Sequence, residues 1–491
     1  MFRPVILWTD ALVFLLLAVL AVFVWYVRQH EHLLAPWRKV ARNASGMAAL
    51  TVLLCFITVG LLDTLHYKPL LTGKDGKVAY ATDVLSVLDL LAGDLRTQKE
   101  KTYSAPLATH LFSKETVQGA DGRETREHPR LLYGGKHLAD PHADHTSDVA
   151  RRAMAGAAAG ALAWLVLSTL LCALIASNSG GGIDAAWSAI WRRETEVPWH
   201  AVLMTLGVLL PLIGVVTLLS AKYHVFGTDK VGQDVLYLAL KSIRPGLIIG
   251  TVTTLVMLPF ALALGIMAGY YRKFVDDLIQ YIYTTLHSIP GVLLIAAAVL
   301  MMQVYVENHP KLFTTNVERA DFRLLFLCLI LGVTSWTSLC RLLRGESLKL
   351  REMEYIQAAH AFGVSGFRIM TRHILPNVMH IVLIAVVMDF SGLVLAEAVL
   401  SYIGIGVDPS MNSFGSMINN ARLEMARDPM VWWSLATAFA FMLVLVLSAN
   451  LFGDAVRDAL DPRIRPRTLT PHRIAALIGA RTARNAAERP A

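Results

Sequence analysis

The chain has 491 residues, 55% hydrophobic and 17% charged, with a mean hydropathy of +0.51. That is too apolar and too charge-poor for a soluble enzyme of this length. A net charge of +8 would suit nucleic acid, but its distribution along the chain follows membrane topology instead, so no nucleic-acid partner is expected.

A bilayer crossing needs ~20 apolar residues. Nine stretches qualify: 5–27, 47–65, 153–176, 200–222, 246–270, 287–306, 322–343, 380–400 and 431–453. The expected fold is therefore an all-α polytopic membrane protein with about nine transmembrane helices. The first apolar run exceeds the ~7–15 residues of a signal peptide and no small-residue cleavage site follows, so it reads as a span. With the polar segment 341–379 placed inside, the inner segments 28–46, 177–199, 271–286, 341–379 and 454–491 hold 22 Lys and Arg. The short outer segments 1–4, 222–245, 307–323 and 401–430 hold 10, and the long segment 66–152 holds 13. Loops beyond ~60 residues escape the positive-inside bias, so the short ones decide. The N-terminus is then outside and the C-terminus cytoplasmic, with the basic charge also drawn weakly to anionic lipid.

Residues 1–65 form two spans joined by a basic loop with Arg28, Arg38, Lys39 and Arg42. Asp10 and Asp63 lie near span ends, where a carboxylate is expected to reach water. Residues 66–152 read as a partly ordered periplasmic loop without a large core of its own. Within it, His137, His142 and His145, with Asp140 and Asp144, are weak metal candidates; a solvated loop is the preferred reading and no metal is expected. Gly156 and Gly160 make a GxxxG step suited to close helix packing. Trp187, Trp191, Arg192 and Arg193 suit an interfacial helix. The four cysteines, Cys55, Cys172, Cys328 and Cys340, all fall in spans and are too scattered for a disulfide framework.

The most sharply punctuated stretch of the C-terminal half is 354–377, EYIQAAHAFGVSGFRIMTRHILPN. A helix carrying Glu354, Ala358 and Ala359 is expected to end at Gly363, because glycine accepts the left-handed conformation. Ser365 is placed to cap a second short helix with Arg368, Arg372 and His373, which Pro376, after Leu375, then stops. Small residues let a partner approach the backbone, and the charges suit a soluble partner rather than lipid.

This segment, E-x3-A-A-x3-G followed by I-L-P-N, resembles the EAA loop of permease subunits in binding-protein-dependent ABC importers. Residues 200–466 as a whole resemble the six-span core of the oligopeptide/dipeptide (peptide/nickel) permease family, C-type subunit. His224, Gly227, Thr228, Asp229, Gly232 and Asp234 match that family's outer-lip pattern, with Gln233 in place of the usual Arg. Gly227-Thr228-Asp229 reads as a turn whose Thr and Asp can cap the helix after it. Glu397, Ser401, Gly404, Gly406 and Pro409 match the family's glycine-punctuated outer mouth, and Asp389 and Glu397 are the best intramembrane-charge candidates.

The resemblance implies an importer subunit without catalytic residues. Its expected partners are a homologous second permease subunit, two cytoplasmic ATPase subunits, a periplasmic substrate-binding protein and membrane lipid. It implies a bacterial inner-membrane location. ATP and Mg belong to the partner ATPases, and this chain, which lacks GxxxxGK[ST], holds no cofactor. The division expected is an N-terminal extension (1–199, about three spans and the loop 66–152), the core (200–466) and a basic cytoplasmic tail (467–491). Di- or oligopeptide cargo is the first choice and nickel the alternative. An ion-coupled secondary transporter would need paired midplane charges and repeated broken helices, which are not evident. A non-transporting scaffold would leave the 354–377 pattern unexplained.

Overall fold

The computed structural model describes residues 2–72, 78–81, 83–118, 124–179, 182–313 and 315–460. The tail, with Arg463, Arg465, Arg467, Arg473, Arg481 and Arg484, lies outside the described residues.

Among the described residues nine helices are long and apolar enough to cross a membrane, and each coincides with an expected span. They are α1 (Trp8–Gln29), α3 (Ala44–Thr64), α6 (Pro141–Ser179), α8 (Trp199–Ser220), α9 (Val235–Tyr271), α11 (Gly291–Asn308), α12 (Asn316–Arg351), α15 (Leu375–Ile403) and α17 (Trp433–Leu460). Shorter helices join them: α2 (Glu31–Ala41), α4 (Val87–Leu91), α5 (Gly93–Thr97), α7 (Ile183–Trp191), α10 (Lys273–Ser288), α13 (Glu354–Ala361), α14 (Gly366–Ile369) and α16 (Phe414–Glu424).

Helices α9 and α12, with 37 and 36 residues, form the spine. At ~1.5 Å per residue each is roughly 55 Å long, well beyond a ~30 Å hydrocarbon core, so both carry the core into the water on each side. Their seam is packed by fully buried Ile248, Ile249, Val252, Leu324, Leu327 and Cys328. An added Cβ on Gly332 of α12 would strike Val256 of α9, and one on Gly250 of α9 would strike Phe390 of α15 (Leu375–Ile403), so these glycines set how closely α12 and α15 approach α9.

The excursion after α3 is mostly irregular, with small strands. Strand β1 (Phe2–Val5) pairs antiparallel with β2 (His66–Thr72), which also pairs with β3 (Val78–Tyr80) and β4 (Leu85–Ser86). A separate hairpin joins β5 (Glu115–Gln118) to β6 (Glu124–Glu127). Helix α6 begins at Pro141, twelve residues before the expected start at 153, because the polar run after Asp140 continues the same helix. Among the described residues of the excursion, the buried side chains that join a hydrophobic cluster do so with residues beyond it. Tyr103 packs with Val235, Met417, Val431 and Trp433.

Helices α6 and α8 touch backbone to backbone. A Cβ on Gly156 would lie 2.5 Å from the Gly214 carbonyl oxygen, as the GxxxG step predicts.

Asp10 and Asp63 do not reach water: they are 0% and 3% exposed. Asp10 takes Arg244 at 2.7 Å and His66 at 2.8 Å, and Asp321 takes Arg244 at 3.2 Å and a Thr9 hydroxyl. Lys241 reaches Asp63 at 2.6 Å and Asp89 at 3.1 Å. Two cations of α9 therefore hold α1, α3 and α4, because an unpaired charge at such depth would cost several kcal/mol.

Candidate functional site

In the 354–377 segment, α13 carries one fully buried side chain, Ile356, which packs with Ile369, Ile374 and Tyr270. Glu354 and Ala358 are exposed and Ala359 is half-buried. The helix ends as a Schellman motif: Val364 N–H bonds Ala359 C=O at 3.1 Å, and Gly363 N–H bonds His360 C=O at 3.0 Å. Gly363 has φ +76°, and nothing lies within 4 Å of where its Cβ would be. The glycine is needed for backbone conformation, not for space.

Two expectations fail here. Ser365 sits before α14 with no side-chain cap, and Pro376 closes nothing. A single π turn, Met370–Ile374, joins α14 to α15, and Pro376 falls in the first turn of α15. The wide turn accommodates the ring, and a first-turn proline forfeits little hydrogen bonding. The segment is one short helix, a bend, and the start of a long span. Arg368 and Pro376 are exposed and Leu375 is half-buried.

Sequence reasoning missed the two aromatics at the bend. Phe362 is 88% exposed and Phe367 72%. Their signal was available: aromatics flanking a helix-ending glycine among charged neighbours. Arg344 of α12 grips Asp276 of α10 through two bonds of 2.5 and 2.6 Å, and Arg272 pairs with Glu352 at the end of α12. The bend itself, packed through Ile356, Ile369 and Ile374, presents aromatic and cationic side chains to water.

At the outer lip, Gly227 and Gly232 have φ +73° and +74°. An added Cβ on Gly227 would sit 2.5 Å from the Ser104 carbonyl, and one on Gly232 would strike the Glu100 backbone. The helix cap is Asp234, whose Oδ1 accepts from Leu236 N–H at 2.8 Å, rather than Thr228 or Asp229. Thr228 is committed to the excursion: its hydroxyl donates to Thr102 C=O at 2.9 Å and accepts from Ser104 N–H at 2.7 Å. Asp229 accepts from Val231 and Gln233 N–H at 2.9 and 2.8 Å, tying its own turn.

His224 is 3% exposed, 2.7 Å from Asp234 and 3.4 Å from Glu100. Burial opposes its charge, but the hydrogen bonds and charges of Asp234 and Glu100 outweigh that and raise it to about 9. Burial likewise opposes the Glu100 carboxylate. His224 and the N–H groups of Leu132, Tyr133 and Gly134 overcome it and hold Glu100 below the ordinary range. Lip and excursion are thus one hydrogen-bonded unit.

At the mouth, Glu397 is 1% exposed and takes the Ser401 hydroxyl at 2.6 Å; that hydroxyl in turn accepts from Val407 N–H at 3.3 Å. Gly404, φ +86°, ends α15, and Gly406 leaves no room for a Cβ against Ser401. Asp408 takes Arg323 at 2.7 Å and Pro409 is exposed. Glu397 and Ser401 therefore hold the loop's shape. Asp389, in contrast, is exposed.

The three histidines do not converge. His137 bonds Asp148 at 2.7 Å, His145 bonds Leu107 C=O at 2.8 Å, and His142 stacks on His110. Among the described residues no cluster of three metal-ligating side chains forms.

Residues 261–466 match the family described as binding-protein-dependent transport system inner membrane component. The oligopeptide transport system permease protein OppC of Mycobacterium tuberculosis is 32% identical over 242 residues, covering 49% of this chain and 77% of OppC. The glutathione transport system permease protein GsiD of Pectobacterium atrosepticum is 31% identical, covering 49% and 73%. The dipeptide transport system permease protein DppC of Alkalihalophilus pseudofirmus is also 31% identical, again covering 49% and 73%. A chain of the inward-facing MetNI methionine ABC transporter overlaps 46% of this chain and 97% of its own length, at 16% identity and a TM-score of 0.36.

Proposed function

The chain belongs to the permease family of binding-protein-dependent transport systems, and from that membership we propose that it is one membrane half of an ATP-driven importer of di- or oligopeptides. The observation that carries the mechanism is the knob at 354–377. Phe362, Phe367 and Arg368 project into water from a bend anchored by buried Ile356, Ile369 and Ile374. An amphipathic bend of this kind suits a groove on a soluble protein, here a cytoplasmic ATPase that binds ATP and Mg.

Closure of two such ATPases would move the knob. Because π turn and α15 continue from it without interruption, the push passes directly into a span. The bundle then changes the side to which its cavity opens, provided that the partner binds the two states unequally. A second, homologous permease completes the pathway, and a periplasmic binding protein delivers the peptide to the lip and mouth. The bacterial inner membrane, with the knob and the C-terminus cytoplasmic, is the location consistent with the basic inner loops.

We assign residues 200–466 to the transport core and 1–199 to an extension bound to it through the Arg244, Lys241 and His224 clusters. The nickel alternative gains nothing from the histidine-rich loop, whose side chains are engaged separately. The test is recovery of the tagged full-length chain from its own membranes in mild detergent, with mass spectrometry of what accompanies it. A second permease and ATPase subunits are expected. Recovery of this chain alone would overturn the reading.

A further inference from the structure

The outer end of the α6–α8 pair holds a cavity that the transport mechanism does not use. Its volume is about 250 Å³, and it is lined by Gln98, Tyr133, Lys136, His137, Ala221 and Lys222. That is several times the ~30 Å³ that one water takes, so a small polar group has room. The backbone framing it is fixed. Gly135, at φ +66°, donates its N–H to Lys222 C=O at 2.9 Å, which sets the backbone of Lys136 beside that of Lys222. Arg130 locks the same turn by reaching the carbonyls of Gly135 and Lys136 at 3.3 Å each, and that of Leu138.

The cavity carries positive charge that the chain does not neutralise. Among the described residues no ion pair or hydrogen bond engages the ammonium of Lys136 or Lys222, the Gln98 amide or the Tyr133 hydroxyl. The carboxylates nearby are taken. Asp148 holds His137, Arg151 and Arg152 at 2.7 Å each. Glu100 accepts from the N–H groups of Leu132 and Tyr133 at 2.8 Å, and Asp140 from that of His142 at 2.9 Å. Two ammoniums on one cavity repel each other, and an anion in it removes that cost.

Depth identifies the anion. Lys222 lies just past Ser220, the last residue of α8, and Arg151 and Arg152 precede the apolar run of α6, so the cavity sits at headgroup level. Beneath it the apolar lengths of α6 and α8 are mostly open, Met154, Leu212 and Leu218 among them. These helices pack chiefly on each other and on α3, at the edge of the bundle. Tyr133 and its neighbour Leu132 are exposed, as an aromatic rim at a membrane interface requires.

We propose that this cavity holds the phosphate of an anionic phospholipid of the outer leaflet, with Lys136 and Lys222 as its two cations and the outer side as assigned above. Lysine binds phosphate as a point charge, and basic pockets beside spans take lipid headgroups. A soluble phosphate ester would meet the same donors, but the open apolar helices directly below fit acyl chains. The lipid ties the excursion, through Lys136, to the bilayer as well as to the lip.

The test is native mass spectrometry of the full-length chain in non-ionic detergent, titrated with phosphatidylglycerol or phosphatidylcholine, reading the affinity of the first lipid bound. The wild type is expected to favour phosphatidylglycerol by about thirtyfold, roughly fivefold for each lysine. Lys136→Gln with Lys222→Gln should abolish the preference, and Lys136→Arg with Lys222→Arg should keep it. Arg38→Gln with Lys39→Gln, on the inner side, should leave it unchanged. Equal affinities in the wild type, a preference that survives the double Gln variant, or one lost instead in the Arg38 and Lys39 variant would each overturn the assignment. So would a lower unfolding midpoint of the double Gln variant without lipid, which would make the lysines structural. Displacement of the lipid by equimolar glycerol phosphate would overturn it in favour of a soluble anion, and displacement by tri-alanine but not by its amide in favour of a peptide carboxylate. Lipid affinity is read without transport, so none of these failures is a failure of the peptide-permease reading.

Discussion

Replacing His224 by Gln removes the one cation between Asp234 and Glu100, and the loss should be visible only over a defined pH range. The imidazole is 3% exposed and its pKa is raised from 6.5 to about 9 in the folded chain. One pKa unit is worth about 1.4 kcal/mol, so the charged imidazole contributes on the order of 3 kcal/mol. A raised pKa means the folded state binds the proton more tightly. The contribution is therefore complete below about pH 6.5, declines by about 1.4 kcal/mol per unit, and is gone above about pH 9. Thermal unfolding of the purified chain in detergent, followed from pH 6 to 10, reads this directly. Wild type should lose stability across the window and His224→Gln should not, so the two profiles converge at high pH. Parallel profiles, or wild-type stability rising through the same window, would refute the idea that this ion cluster clamps excursion to lip.

Arg244→Ala leaves Asp10 and Asp321 buried without their cation and should lower stability by about 3–5 kcal/mol, read as a fall in the unfolding midpoint. Adding Asp10→Asn and Asp321→Asn should recover much of that loss, because the uncompensated charges leave with the cation. Phe362→Ala and Phe367→Ala remove exposed rings, so stability should change by less than about 0.5 kcal/mol, while ATPase recovered with the chain falls severalfold. Gly363→Arg forces a side chain into φ +76° and should leave the chain inserted, with ATP hydrolysis uncoupled from uptake.

The spans were legible because ~20 apolar residues cannot be hidden in any other way in so charge-poor a chain. The bend at Gly363 was equally legible, since a positive φ after a helix leaves glycine as the ready choice. Pro376 was misread because a proline ends a helix or opens one, and only the preceding π turn decides between them. The cap at Asp234 was misplaced by six residues because Thr228 is drawn away by Ser104, 124 positions earlier. The same limit hid the clusters around Arg244 and Lys241. Asp10 meets Arg244 across 234 positions, and no local pattern records that pairing. The histidine run offered weak ligand candidates only through proximity in sequence: His137 bonds Asp148, His145 bonds Leu107 C=O, both rings pack edge-on against Tyr223, and His142 stacks on His110.

The central claim is that this chain carries peptides through the membrane on ATP hydrolysed by its partners. Reconstitution of the complete importer in proteoliposomes, with binding protein and radiolabelled tri-alanine on one side and the ATPases on the other, tests it most directly. The account predicts accumulation with ATP and Mg, none with a non-hydrolysable analogue, and none with Gly363→Arg. Accumulation that follows an imposed proton or sodium gradient and ignores ATP would contradict it.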